Sequence, residues 1–249
     1  MHLHTKALVL RETAYKESDK ILTLLTQEQG KLTASARGCR RKGSPLAAGS
    51  QLLVWSDFIL YEYQGRWSVK EAEVEREFRG MREDLDKFSL GCYFGEVTQA
   101  LALEGLPSPE LLSLILNSLH ALDRLDRPLV LVKGAFELRA MCLAGYEPVL
   151  DACAVCGCQP EEPRFHLREG VLHCARCRGE VGDGVSMPLD QGALAAMRHV
   201  AYGDPKRLFS FRLEEKSLSA FADVAEAYLL TQLERGFSTL DFYKSLRLS

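Results

Sequence analysis

The chain lacks several features that would identify common classes of protein. No apolar run among its 249 residues approaches the roughly 20 residues that a helix needs to cross a bilayer, so we expect no membrane span. It has no P-loop glycine pattern and no G-x-S-x-G motif, which argues against ATP-driven activity and against a serine hydrolase. Residues 1–6 are not followed by a signal-peptide apolar segment or a small-residue cleavage site. We therefore expect a cytoplasmic protein with reduced cysteines.

Acidic residues are missing from one stretch of the chain. No Asp or Glu lies between Glu28 and Asp57, although the whole chain has a net charge of −3. Residues 1–80 hold thirteen Lys or Arg against ten Asp or Glu, and the acid-free stretch itself contains five bases, Lys31, Arg37, Arg40, Arg41 and Lys42. Most basic runs are simply solvated surface. Here Arg predominates beside a glycine-containing connection at 38–49, which favours contact with phosphates.

The first 80 residues show the period-two pattern of β-strands. We predict five strands, at 7–10, 21–25, 31–36, 51–63 and 67–69, with Gly30 as the turn of a hairpin. Five short strands in this length predict a small Greek-key barrel, and the OB-fold is the common barrel of this kind that binds nucleic acid. An SH3-like barrel stays an alternative. Five aromatic residues could stack on bases, but we expect most of them to fill the core: Trp55, Phe58, Tyr61, Tyr63 and Trp67.

Helical periodicity replaces the strand pattern after Arg79. Apolar residues recur at helical spacing over 85–97 and 111–122, and Pro107, Pro109 and Pro128 fall near predicted helix starts. A third helix is predicted over 129–143, ending at Gly145. Two more are predicted towards the C-terminus, one opening at Pro188 and a long one over 218–233 that closes at Gly236. These helices predict an all-α domain.

Four of the eight cysteines have the spacing of a tetrathiolate zinc site. They form two C-x2-C pairs separated by 17 residues: Cys153, Cys156, Cys174 and Cys177. Between them, 165–167 and 171–173 read as short strands joined by a turn, so we predict a zinc-ribbon-like hairpin with one structural zinc ion. Cys158 could replace Cys156, and His173 could compete with Cys174. A disulfide framework and a redox CXXC pair are weaker interpretations, because no oxidising compartment and no βαβ unit are indicated.

The predicted fold class is a multidomain α+β protein. An OB-fold barrel at 1–80 precedes a helical domain, whose parts at 81–150 and 183–249 flank the inserted zinc hairpin at 151–182. We expect the hairpin's zinc to staple a loop that would otherwise be long and poorly packed.

Several stretches resemble the RecO family of bacterial DNA-repair proteins. They lie at 7–11, 15–22, 26–30 and 36–44, and the order of barrel, helical domain, cysteine hairpin and closing helices is also similar. The resemblance implies a non-enzymatic recombination mediator of the cytoplasm and nucleoid. It would bind single- and double-stranded DNA, anneal complementary strands and help load the RecA recombinase on DNA coated by single-strand binding protein. It also implies two protein partners, RecR and the acidic C-terminal tail of single-strand binding protein.

Candidate contact residues follow from charge. Phosphates would be neutralised by Lys31, Arg37, Arg40, Arg41 and Lys42, together with Arg11, Lys16 and Lys20. Glu17 and Asp19 lie among these residues and are expected to orient the neighbouring basic side chains. An acidic, aromatic-ended peptide would need an apolar groove with a cationic rim, for which the candidates are Arg124, Arg127, Lys133 and Arg139.

Two other functions compete with this interpretation. A zinc-ribbon regulator of transcription would place its DNA contacts near the cysteines, yet Arg164, Arg168, Arg176 and Arg178 are offset there by five acids. A zinc-dependent nucleic-acid enzyme would need an open metal position and a general base, which two C-x2-C pairs do not supply.

Overall fold

A computed structural model describes residues 1–247. Its N-terminal part is built from five strands whose side chains alternate between interior and surface. These strands are β1 (His2–Tyr15), β2 (Asp19–Thr26), β3 (Gly30–Ala36), β4 (Trp55–Tyr63) and β5 (Arg66–Arg76). Gly30 has φ +61° at the tight turn between β2 and β3, a conformation that suits glycine. The predicted hairpin turn is confirmed.

The five strands close into a barrel in the order β1-β2-β3-β5-β4. All pairings are antiparallel except β3 with β5, where Ala34 is opposite Trp67. Strand β1 is long enough to pair with β4 over its first half and with β2 over its second half. This is the topology of a Greek-key OB barrel, as predicted. Its interior is filled by inward residues that include Val9, Leu24, Phe58 and Leu60.

Strand β4 begins later than predicted. The sequence pattern placed its start at residue 51, but the ordered strand starts at Trp55. Leu53 explains the difference, because it is fully buried and has φ +58°, a left-handed conformation that ends an extended run. The apolar residues at 52–54 therefore belong to a packed turn.

Four helices share a compact unit with the barrel. They are α1 (Arg79–Arg82), α2 (Leu85–Leu101), α3 (Pro109–Arg124) and α7 (Ser238–Leu246). Pro109 opens α3 as predicted, and the Asp84 carboxylate caps α2 by accepting the Lys87 N–H at 3.0 Å. The sequence reading missed α7. Phe237 precedes this helix and is fully buried edge-on against Tyr93 of α2, with ring centroids 5.7 Å apart.

The second compact unit, Leu125–Gly236, holds the remaining helices and a small sheet. Helix α4 (Leu129–Leu143) matches its predicted bounds, and α5 (Gln191–Tyr202) and α6 (Glu215–Leu233) follow the sheet. The sheet has the order β7-β6-β8, from β6 (Arg164–His166), β7 (Val171–His173) and β8 (Ser186–Pro188). Pro188 therefore ends a strand that pairs with β6. The helix predicted to open there begins at Gln191, capped by Asp190.

The two units group the predicted segments in a different way. The first contains Met1–Arg124 and the chain from Phe237 on, so the barrel is grouped with the first three helices. The second contains the cysteine hairpin together with α4, α5 and α6. No helix within residues 1–247 is long and apolar enough to cross a membrane.

A buried ion triad links α4 to α6. The Lys133 ammonium lies 2.9 Å from the Glu137 carboxylate and 2.7 Å from that of Glu226, while Lys133 and Glu137 are 6% and 0% exposed. Burial acts to lower the pKa of Lys133, but the two carboxylates outweigh it and raise the pKa. Lys133 is therefore charged and fully engaged inside the helical unit.

Replacing Lys133 with Met should destabilise this unit strongly. The change leaves Glu137 buried without its cation, which costs about 3–5 kcal/mol of unfolding free energy. Urea unfolding followed by circular dichroism measures the loss. Lys216→Met, at an exposed lysine of the same fold unit, is the matched control and should stay within about 0.5 kcal/mol. Equal unfolding midpoints for the two variants would contradict the assignment.

Candidate nucleic-acid interface and metal centre

The basic loop, defined as residues 37–42, is anchored to the barrel by apolar side chains. Cys39 is 3% exposed and packs with the barrel core, and Leu46, further along the same connection, does the same. Arg37 and Arg40 flank Cys39 and are exposed. Because the loop turns one side chain inwards, its cations project into solvent from a fixed backbone.

A second anchor joins the basic loop to the β1–β2 turn. The Gly38 N–H donates to Asp19 Oδ1 at 2.7 Å, and the Arg40 N–H donates to the Ser18 carbonyl at 3.0 Å. The Gly38 hydrogen bond is the main cause that lowers the pKa of the Asp19 carboxyl, supported by the Ser18 hydroxyl and the nearby charges of Lys16 and Arg37. Asp19 therefore positions the loop, in line with the orienting role expected from the sequence.

Six of the eight predicted DNA-contact residues are exposed cations without an ion pair among residues 1–247. They are Arg11, Lys16, Arg37, Arg40, Arg41 and Lys42. The Lys16 ammonium lies 5.4 Å from the centroid of the Tyr15 ring on the β1–β2 turn. The register pairs Lys20 at the start of β2 with Ala36 at the end of β3, so this turn and the basic loop lie side by side.

The other two predicted residues, Lys20 and Lys31, are drawn into internal contacts. Lys20 pairs with the Glu12 carboxylate at 2.7 Å. Lys31 donates to the Gln99 carbonyl of α2 at 3.0 Å. Lys31 also lies at the start of β3, about 20 Å along the strand from the basic loop at 3.3 Å per residue. Neither belongs to the exposed cationic surface.

The β4–β5 turn adds residues that the sequence reading did not assign to the interface. Gln64 and Gly65 both have positive φ, the geometry of a type I′ hairpin turn, and Tyr63 and Arg66 pair across it. Tyr63 is 63% exposed and Arg66 is exposed. In OB barrels this turn borders the ligand-binding face of β2 and β3. On that face Thr23 pairs with Thr33, which offers hydroxyl groups.

The predicted packing role of the barrel aromatics was mostly wrong. Phe58 is the one of the five that is fully buried, and Trp67 packs partly against the core. Strand alternation places Trp55, Tyr61 and Tyr63 on the opposite side of β4 from Phe58. Counting alternate residues from Phe58 would have separated the inward-facing aromatic residue of β4 from the outward-facing ones.

The cysteine segment contains two similar turns, one for each C-x2-C pair. The Cys153 sulfur is desolvated by burial, but hydrogen bonds from the backbone N–H groups of Cys156, Cys174 and Val155 lower its pKa overall. The N–H groups of Cys177 and Arg176 act in the same way on Cys174, and its pKa falls to about 6 against the cost of burial. Each first cysteine thus accepts from the backbone two and three residues on. This arrangement favours the thiolate that a metal needs.

The sulfur positions fit a zinc ion. The Sγ atoms of Cys153, Cys156, Cys158 and Cys174 lie within 4.8 Å of one another, and Cys156 is 3.8 Å from Cys174. A tetrahedral site with Zn–S bonds of about 2.3 Å has sulfurs about 3.8 Å apart. The donor set and spacing are therefore compatible with zinc.

Two cysteines compete for the fourth ligand position. Cys177 was predicted there, and contact with the sulfurs of Cys156, Cys174 and Cys153 contributes to its raised pKa. Cys158 completes the cluster within 4.8 Å instead. His173 is less suited, because its ring nitrogens face the Cys174 carbonyl at 3.2 Å and the Ser186 hydroxyl at 2.8 Å.

The hairpin is fixed to α6 by contacts that do not involve sulfur. Phe165 of β6 is fully buried edge-on against Tyr228, with ring centroids 5.1 Å apart. The Gln232 amide donates to the carbonyls of Leu167 and Arg168 at 2.8 and 2.9 Å. These contacts hold the strands and the turn of the hairpin without its cysteines.

The predicted partner-binding rim does not form as one surface. Lys133 is buried in its ion triad, Arg139 donates to the Ala201 carbonyl at 2.9 Å, and Arg124 pairs with Asp123 at 2.8 Å. Arg127 borders a cavity of about 520 Å³ in the second unit. Arg212 lies at the same cavity, whose apolar lining includes Leu131, Phe211 and Leu218. Sequence periodicity missed Arg212 because it lies just outside α6.

The fold and its sites define a class of OB-barrel protein with a helical unit and a cysteine hairpin. A model of the recombination protein O N-terminal domain matches residues 1–78, and one of the C-terminal domain matches residues 82–241. Relatives named DNA repair protein RecO include that of Acetivibrio thermocellus, 31% identical over 98% of this chain and 97% of the relative. That of Symbiobacterium thermophilum is 32% identical over 96% of each chain. The chain belongs to the RecO family, which serves DNA repair and recombination.

The Asp19 anchor can be tested at the Gly38 amide. Because the Asp19 pKa is lowered in the folded protein, the anchor is complete above the ordinary value of 3.8 and is lost as pH falls through the lowered pKa. The Gly38 amide proton shift should therefore titrate with a midpoint below 3.8. Asp19→Ala should abolish this titration and speed Gly38 hydrogen exchange at neutral pH. Glu17→Ala, the control in the same turn, should leave both unchanged, and a wild-type exchange rate in Asp19→Ala would refute the anchor.

Proposed function

We propose that this protein is a recombination mediator that holds DNA by its phosphates. It binds single- and double-stranded DNA, anneals complementary strands and helps load RecA on DNA coated by single-strand binding protein. The observation that carries this proposal is the set of six exposed, unpaired cations on the basic loop, the β1–β2 turn and Arg11. Membership of the RecO family supports the same function.

Phosphate contact suits annealing for a physical reason. Cations that neutralise phosphates release condensed counterions, which drives binding without reading sequence. Base edges then remain free to meet a complementary strand. Hydroxyl groups on β2 and β3 add uncharged hydrogen-bond donors for the DNA backbone. Exposed Tyr63, beside Arg66, offers a stacking surface for an unpaired nucleobase. Binding and release are sufficient for this role, so the proposal is of a non-enzymatic protein in the cytoplasm, associated with the nucleoid.

The cavity at Arg127 supports a site for the acidic tail of single-strand binding protein. Arg127 and Arg212 provide cations, and Leu131, Phe211 and Leu218 provide an apolar lining in a volume of about 520 Å³. A peptide with acidic residues and an aromatic end matches both features. RecR is the second proposed partner, and it is proposed from the resemblance alone.

We assign one structural zinc ion to the cysteine cluster. Cys153, Cys156 and Cys174 would hold it with Cys177 or Cys158 as the fourth ligand. A closed tetrathiolate site supplies no open position for a reacting water, so its chemistry is to fix two backbone turns. In this proposal the ion staples the end of the hairpin that Phe165 and Gln232 do not reach.

A zinc-ribbon regulator of transcription is the alternative with a distinct DNA surface. Arg164 already donates to the Ser186 carbonyl at 2.7 Å, which leaves Arg168, Arg176 and Arg178 as exposed cations of the cysteine hairpin. The two proposals therefore place DNA on different arginines, and paired variants distinguish them.

Replacing the four cations of the basic loop should weaken DNA binding and flatten its salt dependence. In the variant Arg37→Ala, Arg40→Ala, Arg41→Ala and Lys42→Ala, the slope of log K against log salt on single-stranded DNA should fall by about three, at about 0.7 per lost phosphate contact. Fluorescence anisotropy at several salt concentrations measures the slope, and strand annealing should slow in parallel.

The control variant is Arg176→Ala with Arg178→Ala, which should keep the wild-type slope. An unchanged slope in the loop variant together with a reduced slope in the control would transfer the interface to the cysteine hairpin. An unchanged slope in both variants would show that DNA contacts neither surface.

Reversing charge at the cavity should weaken peptide binding selectively. Arg127→Glu and Arg212→Glu each place an acid beside the proposed acidic ligand, so affinity for an acidic, phenylalanine-ended peptide should fall on the order of tenfold. Arg178→Glu is the control of equal charge change on the hairpin and should bind as wild type. Equal peptide affinities in all three variants would show that the acidic tail binds elsewhere. DNA affinity measured on the same variants tests the DNA-binding proposal separately.

A further inference from the structure

A fifth cysteine is built into the cluster by the backbone. Cys158 lies outside the two C-x2-C pairs, yet its carbonyl accepts the Cys153 N–H at 2.9 Å, and the Gly157 N–H donates to the Cys153 carbonyl at 2.9 Å. Gly157 has φ +70°, a conformation that a side chain would strain. The turn therefore returns Cys158 to the first pair and holds it there.

The sulfur next to Cys158 is the accessible one. Cys156 is exposed, whereas Cys153, Cys174 and Cys177 are 2%, 7% and 6% exposed. Cys156 Sγ lies 3.4 Å from Cys158 Sγ, closer than its 3.8 Å distance to Cys174. An oxidant arriving from solvent thus meets a thiol that has an additional thiol of the cluster 3.4 Å away.

We propose that Cys156 and Cys158 form a hydroperoxide-sensitive thiol pair that controls zinc retention. The Cys156 thiolate attacks one oxygen of hydrogen peroxide, the O–O bond breaks, and Cys156 becomes a sulfenic acid as hydroxide leaves. The Cys158 sulfur then attacks the Cys156 sulfur. The S–O bond breaks, an S–S bond forms, and the Cys158 proton leaves with the oxygen as water. Two sulfurs have supplied the two electrons that reduce one peroxide to water and hydroxide.

Loss of Cys156 breaks both candidate ligand sets. It is shared by the set that ends in Cys177 and the set that ends in Cys158. A disulfide sulfur is no longer a thiolate, so at most three thiolate ligands remain and zinc affinity falls. A dithiol reductant restores the pair by thiol–disulfide exchange. This step rests on the proposed zinc site, while the thiol pair itself follows from the sulfur positions.

Zinc release from the full-length protein tests the proposal. The zinc content of each protein is measured first and should be one per chain. Hydrogen peroxide is then added at neutral pH, released zinc is followed with a coloured chelator, and disulfides are mapped by mass spectrometry after alkylation and proteolysis. Wild type should release zinc with a Cys156–Cys158 disulfide as the first bond formed. Cys158→Ser should release zinc on the order of tenfold more slowly, because it removes the sulfur 3.4 Å from Cys156 and leaves only sulfurs that the zinc ion would hold.

Cys92→Ser is the control, since Cys92 lies on α2 outside the cluster, and it should release zinc at the wild-type rate. Equal release rates in wild type and Cys158→Ser, or a first disulfide between Cys153 and Cys156, would overturn the thiol pair. Absence of zinc from wild type would overturn the zinc site instead. The disulfide map of that metal-free protein would still show whether Cys156 and Cys158 form the first disulfide. If Cys158→Ser fails to bind zinc, the first disulfide mapped in wild type decides alone.

Discussion

The surface that we propose for DNA depends on how the chain between β3 and β4 is attached to the barrel. Cys39 and Leu46 enter the apolar core, while Asp19 and Ser18 hold the backbone on either side of Cys39. Four cations clustered on a loose loop would lose side-chain and backbone entropy on binding. Here the folded barrel has already fixed the backbone, so the attraction to phosphates is opposed mainly by side-chain ordering.

Charge separation over the barrel complements this anchoring. Exposed Glu71, Glu73 and Glu75 follow one another on alternate positions of β5, and Asp57 pairs with Glu73 on the neighbouring strand. Lys6 neutralises one of these acids by pairing with Glu75 at 2.7 Å. The acids around Glu73 would repel a polyanion locally, whereas the basic loop would attract it. The net charge of −3 thus hides an uneven distribution of charge over the barrel.

Local signals predicted much of the fold, and contacts distant in sequence account for what they missed. Helix α4 matched its predicted bounds because Pro128 and Gly145 mark its ends locally. Strand β8 has only three residues, too few to show an alternating pattern in the sequence. It is defined by its pairing with β6, about 22 positions earlier. Lys133 looked like an exposed rim residue, since its partner Glu226 lies on another helix. The cysteine spacing predicted the cluster, yet the place of Cys158 depended on a glycine turn with positive φ.

In the cysteine hairpin, packing is separable from the proposed metal site. Phe165 and Leu172 are fully buried and Gln232 holds the turn of the hairpin, so its inner part is stabilised without sulfur. The cysteine turns lie beyond these contacts, where Cys156 is exposed. Losing a metal there should loosen the cysteine turns before the strands of the hairpin, because the buried ring and amide contacts remain. The basic loop belongs to the other compact unit, and its anchors are barrel residues. The proposed DNA contact is therefore expected to outlast the proposed metal site when a chelator is added.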